Sequence, residues 1–81
     1  MFYRQFNGVD GGRYLASDID NASDTKYYGF VAIDGAWYII QEVTSAGTYR
    51  YATGDNTTTY TTNWTGRAGL TYTYVNSVSW A

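Results

Sequence analysis

The chemistry open to this chain rests on seven carboxylates, Asp10, Asp18, Asp20, Asp24, Asp34, Glu42 and Asp55, because it contains neither His nor Cys. Imidazole bases, thiolate nucleophiles and zinc sites built on Cys or His are therefore excluded. Asp10, Asp34 and Asp55 stand next to Gly or Asn. In that setting an Asp carboxylate caps its own turn. Glu42 falls well inside an apolar, β-branched run. A glycosidase needs two carboxylates held across a cleft, and 81 residues leave little room for one. The chain is not expected to be an enzyme, nor to carry a cofactor.

One stretch has metal-ligand character. Asp18, Asp20, Asn21 and Asp24 are four oxygen-bearing side chains within one acidic segment. Calcium takes six to eight oxygens. The order differs from an EF-hand loop, which needs its glycine and a distal Glu. A solvated acidic loop accounts for the segment more simply.

Three Trp residues set the binding question. Trp37 sits in a strand-like run and is expected in the core. Trp64 lies beside Asn63 and near Arg67, and Trp80 lies next to the C-terminal residue. An exposed Trp with such neighbours can stack on a sugar, anchor a protein interface, or fold back onto the core. Asn21-Ala-Ser23, Asn56-Thr-Thr58 and Asn63-Trp-Thr65 match the N-glycosylation pattern. In a Thr-rich chain these matches are expected by chance.

The elements that must position these residues are strands. Tyr occurs 10 times and Pro never, and Leu is confined to Leu15 and Leu70. This is an all-β composition. The clearest element is a hairpin, Lys26 to Ile33, then Asp34-Gly35, then Ala36 to Val43. Asp-Gly suits a two-residue type I′ turn. That turn predicts the pairs Ala32–Trp37, Phe30–Ile39 and Tyr28–Gln41 on one face. It predicts Val31–Tyr38, Gly29–Ile40 and Tyr27–Glu42 on the other. Both faces are apolar near the turn. One is therefore expected to pack inside the domain, and the other to be covered by something else, such as another subunit.

Along the chain, Phe2 to Phe6 reads as a strand and Asn7 to Gly12 as a loop. Arg13 to Ser17 reads as a second short strand or extended segment, and Asp18 to Thr25 as a loop. Ser45 to Gly47 is a turn. In Thr48 to Thr53, Tyr49, Tyr51 and Thr53 share one face, and Thr48, Arg50 and Ala52 the other. Gly54 to Asn56 is a turn. The Thr run from Thr57 favours strand, with a short helical turn an alternative around Asn63 to Gly69. Leu70 to Trp80 alternates with period two and is expected to be the last strand. The sum is five to six short antiparallel strands in a meander, small barrel or sandwich. They form a single domain over residues 1–81, with residues 1–25 a candidate arm that orders on docking.

A domain this small usually needs a disulfide, a metal or oligomerisation. Without Cys or His, oligomerisation or docking onto a larger assembly is the common route left. The net charge of −2, with five scattered basic residues, argues against nucleic acid. No apolar run is long enough to span a bilayer as a helix. Met1 to Phe6 lacks the apolar core of a Sec signal peptide. Release by lysis, or as part of a particle, is the expected way out of a cell.

Several strings occur together in order: Tyr27-Tyr28-Gly29-Phe30, Asp34-Gly35-Ala36-Trp37-Tyr38-Ile39-Ile40, Tyr49-Arg50-Tyr51-Ala52-Thr53-Gly54, Tyr60-Thr61-Thr62-Asn63-Trp64-Thr65 and Arg67-Ala68-Gly69-Leu70-Thr71-Tyr72. From Tyr27 onward the chain resembles a small all-β structural domain of tailed bacteriophages and prophages. The resemblance implies a virion-associated domain without catalytic residues. It implies a subunit of the capsid decoration, tail, neck or fibre apparatus, made in the host cytoplasm and carried in the particle. Its partners would be further copies of itself or other virion proteins, with no nucleic acid and no membrane. The residues expected at such an interface are Trp64, Arg67, Trp80, Tyr38 and Tyr27. The alternative is a carbohydrate-binding adhesion module.

Overall fold

The computed structural model describes residues 13–80. The expected strand Phe2 to Phe6 and the loop Asn7 to Gly12 lie outside the described residues. Four strands, β1 (Tyr14–Asp20), β2 (Thr25–Ala32), β3 (Trp37–Val43) and β4 (Thr48–Gly54), form one antiparallel sheet in the order β1-β2-β3-β4. A short helix, α1 (Tyr60–Thr65), and 3-10 turns at Arg67–Gly69 and Val75–Ser77 follow. The chain is thus mostly β. Among the described residues the sheet is an open four-stranded meander, one of the three expected arrangements, with fewer strands than the expected five to six and no barrel or sandwich.

The hairpin differs from the expected register by one residue. Val31 pairs with Trp37, Phe30 with Tyr38, Gly29 with Ile39 and Tyr28 with Ile40. A type I′ turn needs positive φ at both Asp34 and Gly35. Of the two only Gly35 adopts it, at φ 94°, and no non-glycine residue does among the described residues. The loop is instead three residues long, Ile33 to Gly35. Gly35 N–H donates to Ala32 O at 2.9 Å, and Ala32 N–H donates to Ala36 O at 2.7 Å. This is a type I turn closed by a left-handed glycine, which spares Asp34 a strained backbone. The Asp34 carboxylate accepts from Ala36 N–H at 3.2 Å. A shift of one residue exchanges the face on which every β3 side chain meets β2.

The two faces are therefore a Tyr38 face and a Trp37 face. Tyr14, Phe30, Ala32, Ala36, Tyr38 and Ile40 form the first core, with Tyr28, Tyr51 and Trp80 packed against it. Tyr27, Trp37, Ile39, Ala52 and Tyr60 form the second, with Val31, Trp64, Leu70 and Tyr72. Both faces are apolar, as the hairpin sequence requires. The chain covers much of both itself, so a second subunit is not what buries Tyr38, Ile39 and Ile40.

The expected last strand is not one. Leu70 and Tyr72 lie against the Trp37 face and Trp80 against the Tyr38 face. The segment must cross the outer edge of β4 to reach both, and among the described residues it makes one backbone bridge to that edge, at Tyr51–Thr73. The helix forms in place of a strand over the Thr run. Tyr60 and Trp64, four residues apart, project from one side of α1 and stack at 6.2 Å between ring centroids. At six residues α1 owes its stability to that packing rather than to helix propensity.

Candidate functional site

Of the expected loop from Asp18 to Thr25, only Asn21 to Asp24 lies outside the strands. Tyr14–Asp20 continues as β1 through a bulge, where pairing shifts between Ala16–Phe30 and Asp18–Gly29. Simple alternation from Tyr14 would put Asp18 and Asp20 on the Tyr38 face. The extra residue at the bulge turns both onto the Trp37 face, toward α1. There the Tyr60 hydroxyl donates to Asp18 Oδ2 at 2.7 Å. Arg67 donates through Nε and Nη2 to Asp20 Oδ2 at 3.2 and 2.8 Å.

Arg67 also donates to Trp64 O at 2.8 Å and lies 4.5 Å from the Trp64 ring centroid. Tyr27 is on its other side at 5.7 Å. Hydrogen bonding from Arg67 holds the Asp20 carboxyl below its usual range, helped by the Ala22 N–H. Burial, and then the bond to Asp18, push the Tyr60 hydroxyl up. These contacts clamp the C-terminal half of the chain onto the β1 edge.

Asp24 lies in the turn after β1, where it accepts from Ser45 N–H at 2.9 Å and Ser45 O–H at 2.7 Å. Asn21 is exposed in that turn. The four calcium candidates thus face different partners. Among the described residues no group of three or more acidic, His or Cys side chains is placed to hold a metal. Glu42 accepts from the Tyr28 hydroxyl at 2.6 Å, and that bond raises the Tyr28 pKa to about 12.

The residues expected at an interface divide in the structure. Tyr38 is fully buried and Tyr27 is 9% exposed, each inside one of the domain's own cores. The hairpin register and the C-terminal cover put them there. Trp64 and Arg67 are half-buried in the clamp. Trp80 is half-buried against Tyr14, Tyr38 and Tyr51, with ring centroids 6.4, 5.1 and 6.1 Å away. Its indole N–H donates to Val75 O at 2.9 Å.

Two features went unmarked in the sequence reading. The first is an uncovered strip on the Tyr38 face. Ile19 is 61% exposed and pairs with Tyr28, whose hydroxyl reaches Glu42, the partner of the 53%-exposed Tyr49. Its signal was hidden, since only the bulge brings Ile19 to that face. The second is a cleft of about 700 Å³ beside the outer edge of β4, between the start of α1 and the C-terminal segment. Gly29 did carry a readable signal, because an isolated glycine inside a strand marks a close approach. A Cβ there would lie 2.0 Å from the Tyr60 hydroxyl and 2.9 Å from the Trp64 ring.

Comparison with protein-family models, with curated proteins and with solved structures finds no match to this chain. No helix among the described residues is long and apolar enough to cross a membrane.

Proposed function

We propose that this chain is a non-enzymatic structural subunit of a tailed-phage virion, a capsid decoration protein or a component of the tail, neck or fibres. It is made in the host cytoplasm and works by docking an aromatic-rich surface against further copies of itself or other virion proteins. The observation that supports this reading is the strip Ile19–Tyr28–Tyr49 on the Tyr38 face, where Ile19 and Tyr49 are exposed beside the buried core. Isolated exposed apolar residues are ordinary on a surface. Here they line one face across the four strands, with Glu42 of β3 between Tyr28 and Tyr49, and Tyr at such a site is typical of protein interfaces. The proposed contact thus lies on this strip, away from the buried Tyr38 and Tyr27.

Quantitative mass spectrometry of purified particles tests the reading. A copy number equal to that of the major capsid protein is the result expected of a decoration subunit. A small fraction of that number places the chain in the tail, neck or fibres. Absence from particles overturns the proposal. In particles that carry the chain, Ile19→Lys with Tyr49→Lys is expected to abolish incorporation while circular dichroism of the free protein is unchanged.

A further inference from the structure

The cleft at the β4 edge is a second surface with different chemistry. At Tyr51, β4 turns its N–H and C=O outward and exchanges hydrogen bonds of 2.7 and 3.0 Å with Thr73. Strand groups repeat their direction every two residues. The N–H and C=O of Thr53 therefore point outward as well, into the cleft, and meet no backbone partner among the described residues. Beyond Tyr51 the returning chain leaves the edge, so Thr71 faces Thr53 across open space.

The far wall is held in place by the Thr53 hydroxyl, which donates to Ser79 O at 2.6 Å. The lining includes Asp55, Asn63, Thr71, Leu70 and Trp80. The Asn63 Nδ2 donates to Thr59 O at 2.9 Å, which leaves its Oδ1 as an acceptor, and the half-buried Trp80 ring packs on Tyr14, Tyr38 and Tyr51 and keeps its remaining exposed part for the cleft. Asp55 Oδ1 is occupied by Thr57, whereas Oδ2 accepts no hydrogen bond among the described residues. Its volume of about 700 Å³ lies within the roughly 300–1,000 Å³ of small-molecule sites.

We infer that this cleft binds a neutral or amine-bearing sugar unit. Convergent hydroxyl, amide, carboxylate and backbone groups beside an indole match the alternating hydroxyls and C–H faces of a pyranose. An added peptide strand is disfavoured by length. Pairing at Tyr51–Thr73 closes the edge on one side and β4 ends at Gly54, which leaves Thr53 as the one open rung within the cleft among the described residues. Strand addition draws its affinity from several such rungs. Anionic sugars are disfavoured by charge, because Asp55 is the sole ionisable side chain lining the cleft among the described residues. The site does not involve Trp64, which is not among the residues lining the cleft. It is also separate from the Ile19–Tyr49 strip and stands independently of the virion reading.

The test is an NMR titration of the isotope-labelled chain with glucose, galactose, N-acetylglucosamine, glucosamine and lactose, with N-acetylneuraminic acid as the anionic control. Saturable shifts of the Asn63 side-chain amide and the Trp80 indole are expected with at least one neutral or amine-bearing sugar and not with the control. Asn63→Ala and Asp55→Asn are each expected to weaken binding about five- to tenfold, the loss of one hydrogen bond. The thermal midpoint should stay near that of the parent, since Asn at residue 55 can keep the turn. The inference is overturned if no sugar gives a saturable shift. It is equally overturned if the shifts map to Trp64 and neither variant changes them, or if the acidic sugar binds as well as the neutral ones.

Discussion

Tyr38 is the most buried aromatic residue of the sheet, yet its hydroxyl has no hydrogen-bond partner among the described residues. Its ring stacks on Phe30 at 4.7 Å and meets Tyr14 edge-on at 5.0 Å. Such pairs contribute about 0.5–1.5 kcal/mol each beyond area burial. The orphaned hydroxyl opposes this, because a buried polar group without a partner costs about 1–3 kcal/mol. Tyr38→Phe keeps the ring and removes the cost. Urea denaturation is expected to show the variant more stable by about 1 kcal/mol. A less stable variant would mean that the hydroxyl is bonded in solution. At this scale the sequence was readable in kind only. Tyr38 was recognisable as a large half-polar side chain on an apolar strand, but a one-residue change of turn type reversed which β2 residues it meets.

At the scale of elements, the seat of α1 depends on a residue that adds nothing of its own. Gly29 leaves the hollow on the Trp37 face that Tyr60 and Trp64 occupy. The bulge in β1 then offers Asp18 to the Tyr60 hydroxyl and Asp20 to Arg67. Gly29→Ala would drive a methyl group into a rigid ring whose far end is bonded, so the ring cannot simply turn away. Overpacking of this kind costs about 1–3 kcal/mol. The expected outcome is a lower denaturation midpoint, together with loss of the nuclear Overhauser contacts between Tyr60 and β2. An unchanged midpoint would show that α1 does not sit over Gly29. The helix was legible in the sequence only as an alternative, since a Thr run favours strand. Burying Tyr60 and Trp64 together outweighed a propensity difference of a few tenths of a kcal/mol per residue.

For the whole molecule, packing on both faces of one small sheet places several tyrosines where ionisation is unfavourable. Tyr38, Tyr60 and Tyr72 are pushed well above the usual tyrosine value, chiefly by burial. Tyr28 is raised to about 12, chiefly by its bond to Glu42. In the unfolded chain these groups titrate near their ordinary value of 10.0. A raised folded value means that the native state holds protons which the unfolded state releases. The stabilisation is thus complete below pH 10 and declines as pH rises through 10 toward 12 and beyond. Alkaline titration is expected to give cooperative unfolding above pH 10, with the tyrosinate absorbance of Tyr28, Tyr38, Tyr60 and Tyr72 appearing together with loss of far-ultraviolet dichroism. Smooth ionisation of all tyrosines before any loss of dichroism would contradict the packing.

The sequence by itself determined the β character, the hairpin between Lys26 and Val43, the face pattern of Thr48 to Thr53 and the apolar nature of both sheet faces. Alternation, β-branching and glycine-marked turns are local, so a linear reading recovers them. It also limited the chemistry to carboxylates, hydroxyls and aromatic rings. Tertiary structure alone decided the hairpin register, the bulge that redirects Asp18 and Asp20, the Asp20–Arg67 clamp and the return of the C-terminal segment across β4. Apart from the hairpin register, which follows from the local turn at Ile33 to Gly35, each of these depends on contacts between residues far apart in the chain. The segment from Leu70 to Trp80 shows the reason most directly. Its period of two matches a strand. Its apolar residues are nevertheless taken by two opposite faces, and a chain serving both must cross the sheet edge rather than extend it.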